Sequence, residues 1–119
     1  MNANEIDDKK GLDSQDCIEA CTQCAQVCLQ TAMNHCLEQG GEHVAPAHLR
    51  LMMDCADICQ LSARLQLGSS EFAEDFCALC AEVCLACADS CDTLSGMEDC
   101  AEACRQCAAS CETMSGMAS

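Results

Sequence analysis

The chain has 119 residues, of which 16 are Cys, two are Phe and none is Trp or Tyr. Such a length, under the usual allowance of about 150 residues per domain, predicts one domain with a modest core, and with so few bulky apolar side chains that core has to be lined with sulfur. Twenty Asp and Glu against five Lys and Arg leave a formal charge of −15, which repels phosphate backbones and anionic lipid surfaces and argues against nucleic acid or membrane as partners.

Residues 1–12 carry no apolar stretch behind a basic start and no twin Arg, so they are expected to form a mobile tail rather than a leader or an anchor. A first helix is predicted to open at Asp13 or Ser14, both able to cap it, and to stop at Gly40-Gly41, which suit the left-handed position past a helix end. The second is predicted from Pro46, a residue favoured at the first helical position, to Gly68. Ser69 or Ser70 then caps a third, which runs to about Leu94 before Ser95-Gly96. The fourth begins near Met97, with Glu98 and Asp99 where the helix dipole favours acids, and ends at Ser115-Gly116, leaving 116–119 as a second tail. No stretch alternates with the period of a strand, so the fold class is all-α. Four long helices on short loops predict an antiparallel up-down-up-down four-helix bundle over residues 13–115. With no leader and no apolar run of about 18 residues, the chain is expected in the cytosol, where dense Cys signals metal rather than a disulfide framework.

Three segments share the pattern C-x3-C-x2-C-x3-C: CIEACTQCAQVC at 17–28, CAEVCLACADSC at 80–91 and CAEACRQCAASC at 100–111. At roughly 100° per residue the four Cys of one copy fall in a band about 60° wide, and Cys77 widens the band of the third helix only to about 80°. These are the core positions of a bundle, filled by Cys instead of Leu. On the second helix the band reads His48, Met52, Cys55, Cys59, Ser62, Gln66, and on the fourth it extends to Met97 and Met114. Cys36 lies about 100° from Cys17 whereas His35 falls at about 0°, so His35 rather than Cys36 is expected to face the axis. Ser62 and Gln66 predict a thinly metallated lower half of the second helix. Flanking stripes such as Ile18, Ala25 and Leu29, or Leu51, Ile58 and Leu61, cover helix edges or a subunit interface. Glu19, Glu82, Asp89 and Glu102 are solvated outer faces, and no carboxylate pair stands out for acid–base work.

Cys as a merely small hydrophobe does not explain three repeated stripes, because each Leu-sized position left to a smaller side chain costs core packing, about 2 to 5 kcal/mol at a Leu-to-Ala site. Disulfides along a helix are opposed by geometry, since i, i+4 Cβ atoms lie about 5 to 6 Å apart and a bridge needs roughly 3.5 to 4.5 Å. Metal binding remains, with soft ions favoured: Cu(I), Zn(II), Cd(II) or iron–sulfur. The ferredoxin signature is missing. Zinc held by four thiolates per ion adds two buried negative charges per site, whereas one Cu(I) replacing each thiol proton adds none, and thioethers suit Cu(I). The expected cargo is therefore multiple Cu(I) ions, with metallothionein-like sequestration of Zn(II) or Cd(II) as the alternative. A thiol redox enzyme would need an exposed Cys at a helix start, and these Cys lie mid-helix on the inner face.

A leaderless four-helix bundle with Cys-x3-Cys and Cys-x2-Cys steps facing its interior resembles the cytosolic branch of the bacterial copper storage proteins, over about residues 14–115. The resemblance implies a non-enzymatic Cu(I) store, a homotetramer of bundles, and ions held by Cys pairs. Here the pairs would be Cys17/Cys21, Cys24/Cys28, Cys55/Cys59, Cys80/Cys84, Cys87/Cys91, Cys100/Cys104 and Cys107/Cys111, with Cys36 and Cys77 left over as further ligands. In up-down order one mouth gathers His35, His43, His48, Met52, Met53, Cys91, Met97 and Cys100. His35, His48, Met52 and Met97 are the residues expected to admit metal, whereas Met53 points outward. Leu12, Phe72, Phe76 and Met114 are expected to plug the other end.

Overall fold

The computed structural model describes residues 3–116, and their side chains from Ser14 onward. Four long helices make up the body: α1 (Ala3–Gln30), α2 (Pro46–Leu67), α3 (Ala73–Cys91) and α4 (Glu98–Ser115). Between α1 and α2 the chain stays helical through a π-helical segment (Thr31–Cys36) and a last α turn (Leu37–Gln39), then reverses through a 3-10 turn (Gly41–Val44). Pro46 occupies the first turn of α2 as its fixed φ favours. Gly116, at φ 79°, closes α4 in the left-handed conformation that ends many helices.

The boundaries differ from expectation at three places. α1 is already helical at Ala3 rather than at Asp13 or Ser14, because Gly11 alone costs about 1 kcal/mol and does not break a helix whose first turns are acidic. The expected second tail lies outside the described residues apart from Gly116. α3 starts at Ala73, after a turn in which the Phe72 amide donates to Ser70 Oγ at 3.1 Å, and it ends at Cys91, short of Leu94.

Contacts across the core fix the helix directions. Cys17 meets Cys111 at 3.7 Å and Cys28 meets Cys100 at 3.5 Å, so α1 and α4 are antiparallel. Cys55 and Cys59 meet Cys84 and Cys80, each at 3.7 Å, so α2 and α3 are too. Cys28 approaches Cys55 at 3.8 Å and Cys17 approaches Gln66 at 3.4 Å, which runs α1 against α2. The end holding the close of α1 and the start of α2 is here the upper end. Buried alanines beside the Cys bands, among them Ala25, Ala56, Ala81 and Ala108, let the helices approach closely enough for short thiols to touch.

Of the residues expected to plug the lower end, Met114 packs against the core, but the two Phe do not close it. Phe72 is 54% exposed and Phe76 only half-buried, while the Leu12 side chain lies outside the described residues. Ser14, Gln66, Ser69, Ser70, Ala73, Glu74 and Met114 line a groove there. Phe72 sits just before α3 begins, so its ring escapes the inward band that the helix imposes on Cys77 and Cys80.

Candidate metal core

All sixteen Cys are buried, none more than 1% exposed, and all are free thiols. Within a helix the expected pairs Cys17/Cys21, Cys24/Cys28 and Cys80/Cys84 lie 3.8 to 3.9 Å apart. The shortest approaches run between helices: Cys21 to Cys107 at 3.4 Å, Cys28 to Cys104 at 3.5 Å, and Cys59 to Cys84 at 3.5 Å. These separations far exceed the S–S bond of about 2.05 Å, so the sulfurs pack as thiols in contact rather than as bridges.

The contacts divide the core into overlapping groups. Cys24, Cys28, Cys55 and Cys104 form one, Cys24, Cys55, Cys59 and Cys84 the next, then Cys59, Cys80, Cys84 and Cys107, then Cys21, Cys80, Cys107 and Cys111, and finally Cys17, Cys77 and Cys111. Because neighbouring groups share sulfurs, a metal bound in one lies beside the next, which is the arrangement bridging thiolates need. The thiols also hold one another's protons. Cys28 is pushed up, chiefly by its hydrogen bond with Cys100, whereas Cys24 is pulled down, chiefly by its bond with Cys104. Cys100 is pulled down to about 5 by Cys104 and then Cys28.

At that end thioethers enter the lattice. Met52 Sδ lies 3.5 Å from Cys87 Sγ, 3.6 Å from Cys91 and 3.9 Å from Cys100. One layer further out, Cys36 Sγ lies 3.9 Å from both Met97 Sδ and His48 Nε2. His48 Nδ1 is hydrogen-bonded to Ser90 Oγ at 2.7 Å, which orients Nε2 toward Cys36. Burial, and then the nearby His43, hold the His48 ring below the ordinary imidazole range and so keep it neutral, as a metal ligand must be. Burial, reinforced by Cys100 and Cys87, pushes the Cys36 thiol up.

The mouth corrects one expectation. Cys36 faces the core and is fully buried, whereas His35 lies on the half-exposed side and donates from Nε2 to the Ser95 carbonyl at 3.0 Å. The cause is the π-helical segment at Thr31–Cys36. One extra residue in a turn sets the helix phase back by about 100°, the angle by which Cys36 would otherwise miss the band. His43 donates to the same carbonyl at 2.9 Å, and the two rings meet edge to face with centroids 5.1 Å apart. Gly96 makes room for them: at φ +74° a Cβ there would fall 2.7 Å from the His35 ring. The spacing of side chains gave no sign of the role of Ser95, because its contribution is a backbone oxygen. Met53 is half-buried, lining an outer groove with Val44 and Leu49 while packing against the edge of the core.

A continuous lattice of buried thiols inside an all-α bundle, tipped at one end by thioethers and imidazoles, defines a protein that holds soft metal ions in its core. The chain belongs to the copper storage protein (Csp) family, whose profile matches residues 10–116. The protein Nmul_A1745 of Nitrosospira multiformis superposes with a TM-score of 0.88 at 52% identity, over 90% of this chain and 98% of that one. The Cu(I)-bound copper storage protein BsCsp3 of Bacillus subtilis gives 0.79 at 37%, over 87% and 98%. A cytosolic copper storage protein of Streptomyces lividans, solved during copper loading with five coppers, gives 0.78 at 33%, over 89% and 97%.

Proposed function

We propose that this chain is a Cu(I) store and buffer whose core thiols hold many ions at once. The observation that carries the reading is the lattice itself: sixteen thiols, each no more than 1% exposed, all but Cys77 within 3.4 to 3.9 Å of a sulfur on another element. An arrangement of that kind has no use for an apolar core, since each contact could be packed better by carbon. It suits Cu(I), because one ion replacing one thiol proton leaves the buried charge unchanged, while neighbouring groups that share sulfurs supply bridging thiolates. Thiols so deeply buried present no nucleophile to a substrate, which favours storage over catalysis.

Ions would reach the core at the upper end. A soft ion met by His48, Met97 and Cys36 passes to Met52, whose sulfur touches Cys87, Cys91 and Cys100. From there exchange between sulfurs carries it downward, each step trading one sulfur contact for the next, the proton displaced from the new thiol passing to the sulfur left behind, so that each stored ion releases one proton in all. The seven Cys pairs together with Cys36 and Cys77 are the ligands in this reading. Cytosolic residence is supported by the Streptomyces relative and by the lack, among the described residues, of any helix long and apolar enough to cross a membrane. A homotetramer would cover the exposed Leu29, Met33 and Leu37, on α1 and its π-helical and α-turn continuation, and the Leu79 and Leu85 ridge of α3.

The test is an anaerobic titration of the reduced protein with Cu(I), then with Zn(II), following bound metal and free thiols together. More than about ten Cu(I) per chain, with thiols consumed in step and few Zn(II) bound, is the expected result. Saturation near about four of either metal would mean isolated four-thiolate sites and overturn the copper store.

A further inference from the structure

The thiol groups of the core are joined to one another redundantly. Cys24 and Cys55 belong to both of the upper two groups, Cys59 and Cys84 to the second and third, and Cys80 and Cys107 to the third and fourth. At the bottom Cys111 is shared, and Cys17 also touches Cys21 at 3.9 Å. An ion crossing between groups therefore has two ways to go, and losing one sulfur leaves the other. The join between this lattice and the mouth is different. Met52 Sδ touches Cys87, Cys91 and Cys100, and of these Cys100 continues downward, with its Sγ 3.5 Å from Cys28. Among the described residues no other sulfur–sulfur hydrogen bond ties Met52, Cys87 or Cys91 to the uppermost group of Cys24, Cys28, Cys55 and Cys104. The redundancy is lost because the inward residue that follows Cys28 on this strand of the core is Ala32, fully buried and without a donor atom.

We propose that Cys100 is the junction through which Cu(I) passes between the mouth and the thiol lattice, setting the rate of filling and emptying while adding only its own share to the capacity. The proposal rests on the copper-store reading and deepens it, since it separates how fast the core loads from how much it holds. An ion shared by Cys87 and Cys100 moves inward when a bond to the Cys28 sulfur forms and the bond to Cys87 breaks. The Cys28 proton passes to Cys87, and copper stays Cu(I) throughout. Cys100 keeps hold of the ion during the exchange, so the ion is never stripped to a single ligand. With a hydroxyl in that place, a poor donor for a soft ion, copper has to leave one sulfur before it meets the next. Deeper in the core the paired sulfurs protect each crossing from the same loss.

The experiment delivers Cu(I) anaerobically to the reduced full-length chain from a coloured Cu(I) chelate, follows uptake by stopped flow, and then follows release into an excess of the free chelator. Cys100→Ser is compared with Cys80→Ser, which also removes one thiol but leaves Cys107 joining the same two groups. Both variants should lose about one Cu(I) at equilibrium, one for the missing thiol proton, and that near-full capacity shows that they are folded. Cys100→Ser should fill in two phases, a rapid uptake at the mouth and then a filling of the lattice slowed about tenfold or more, the effect of about 1.4 kcal/mol in barrier. Release should slow likewise, whereas Cys80→Ser should match the unaltered chain in both directions. The proposal is overturned if Cys100→Ser fills and empties as fast as Cys80→Ser, or if Cys80→Ser is slowed as much. Failure of the unaltered chain to take up many Cu(I) would instead strike the copper store on which the junction rests.

Discussion

At the upper end of the core the α2 band continues beyond Cys55 as Met52 and His48, and at the lower end it continues beyond Cys59 as Ser62 and Gln66. The first pair extends the soft surface outward, a thioether against three thiols and then an imidazole against Cys36. The second pair stops it, replacing sulfur by hydroxyl and amide that hydrogen-bond to thiols without presenting a thiolate of their own. A helix band of constant phase thus changes along its length from thioether and imidazole through thiol to hydroxyl and amide, set only by which donor atom stands at each inward position. The ends also differ in what shapes them. The upper mouth is pinned by His35 and His43 on one carbonyl, and the lower end opens on a groove that mixes Ser69, Ser70 and Glu74 with Met114.

The largest effect should come from erasing the difference. Ser62→Cys with Gln66→Cys completes the fourth thiol repeat and places new sulfurs beside Cys77 and Cys17. Anaerobic titration should then give about two more Cu(I) per chain, one for each added thiol proton that can be displaced. An unchanged capacity would mean that the lower end is limited by access or strain and not by donor type. Next in size is Gly96→Ala, aimed at the upper end. Its Cβ would strike the His35 ring at 2.7 Å from a backbone at φ +74°, so a loss of about 1 to 3 kcal/mol is expected from strain together with displacement of the imidazole from Ser95. Denaturant unfolding measures it, and faster reaction of Cys36 with a thiol reagent would show that the mouth had loosened. The same substitution at Gly41, where nothing lies within 4 Å of the added carbon, keeps only the backbone part of that cost.

A smaller effect separates the ends by pH. The His48 ring is held below its ordinary range by burial, then by His43, so between its folded value and the ordinary value of about 6.5 the unfolded chain binds the extra proton. Its contribution to stability is therefore present at neutral pH and lost as the pH falls below about 6.5, down to the folded value. His48→Gln, which has no proton to gain, should flatten that part of the stability profile relative to the unaltered chain. Equal profiles would show that the ring is not the titrating group. The lower end, where Ser62 and Gln66 carry no charge, should contribute no such slope.

The bundle was legible in the sequence because one property, the inward phase of Cys at steps of three and four, is local and repeated. Gly40, Pro46, Gly68 and Gly116 marked helix limits for the same reason: each acts on its own backbone. Two things were hidden. The exchange of His35 for Cys36 depends on a π-helical segment, and the sequence TAMNHC has no Gly or Pro to announce one. The extra residue is tolerated because it brings a thiol inward to Met97 and His48, a tertiary gain with no local signature. Phe72 and Phe76 do not join Met114 in covering the lower end because the start of α3, not residue type, decides where they point. Among the site residues, spacing alone puts Ser62 and Gln66 in the band, but the unpartnered Gln66 oxygen follows from tertiary packing that has no local signature.

The smallest expected effect tests what holds the upper mouth together. Outside it Arg105 of α4 pairs with Asp92, which caps α3, and reaches Asp89 at 3.6 Å; this clasp bridges α3 and α4 just behind the turn that carries Ser95. Its hydrogen bond to Arg105 lowers the Asp92 carboxyl below its ordinary range, so the clasp persists through neutral pH and is lost on acidification. Both partners stand well out in water, however, where salt screens the attraction and ordering two side chains offsets much of it. The imidazoles inside the mouth have neither weakness: His43 is buried, and its bond to Ser95 is shielded by the His35 ring. Arg105→Ala should therefore leave Cu(I) capacity and Cys36 reactivity unchanged and shift the unfolding midpoint slightly, with the shift vanishing in high salt. A loosened mouth in this variant, measured by the same thiol reagent as for Gly96→Ala, would move the fastening of the upper end from the buried carbonyl to the charged surface.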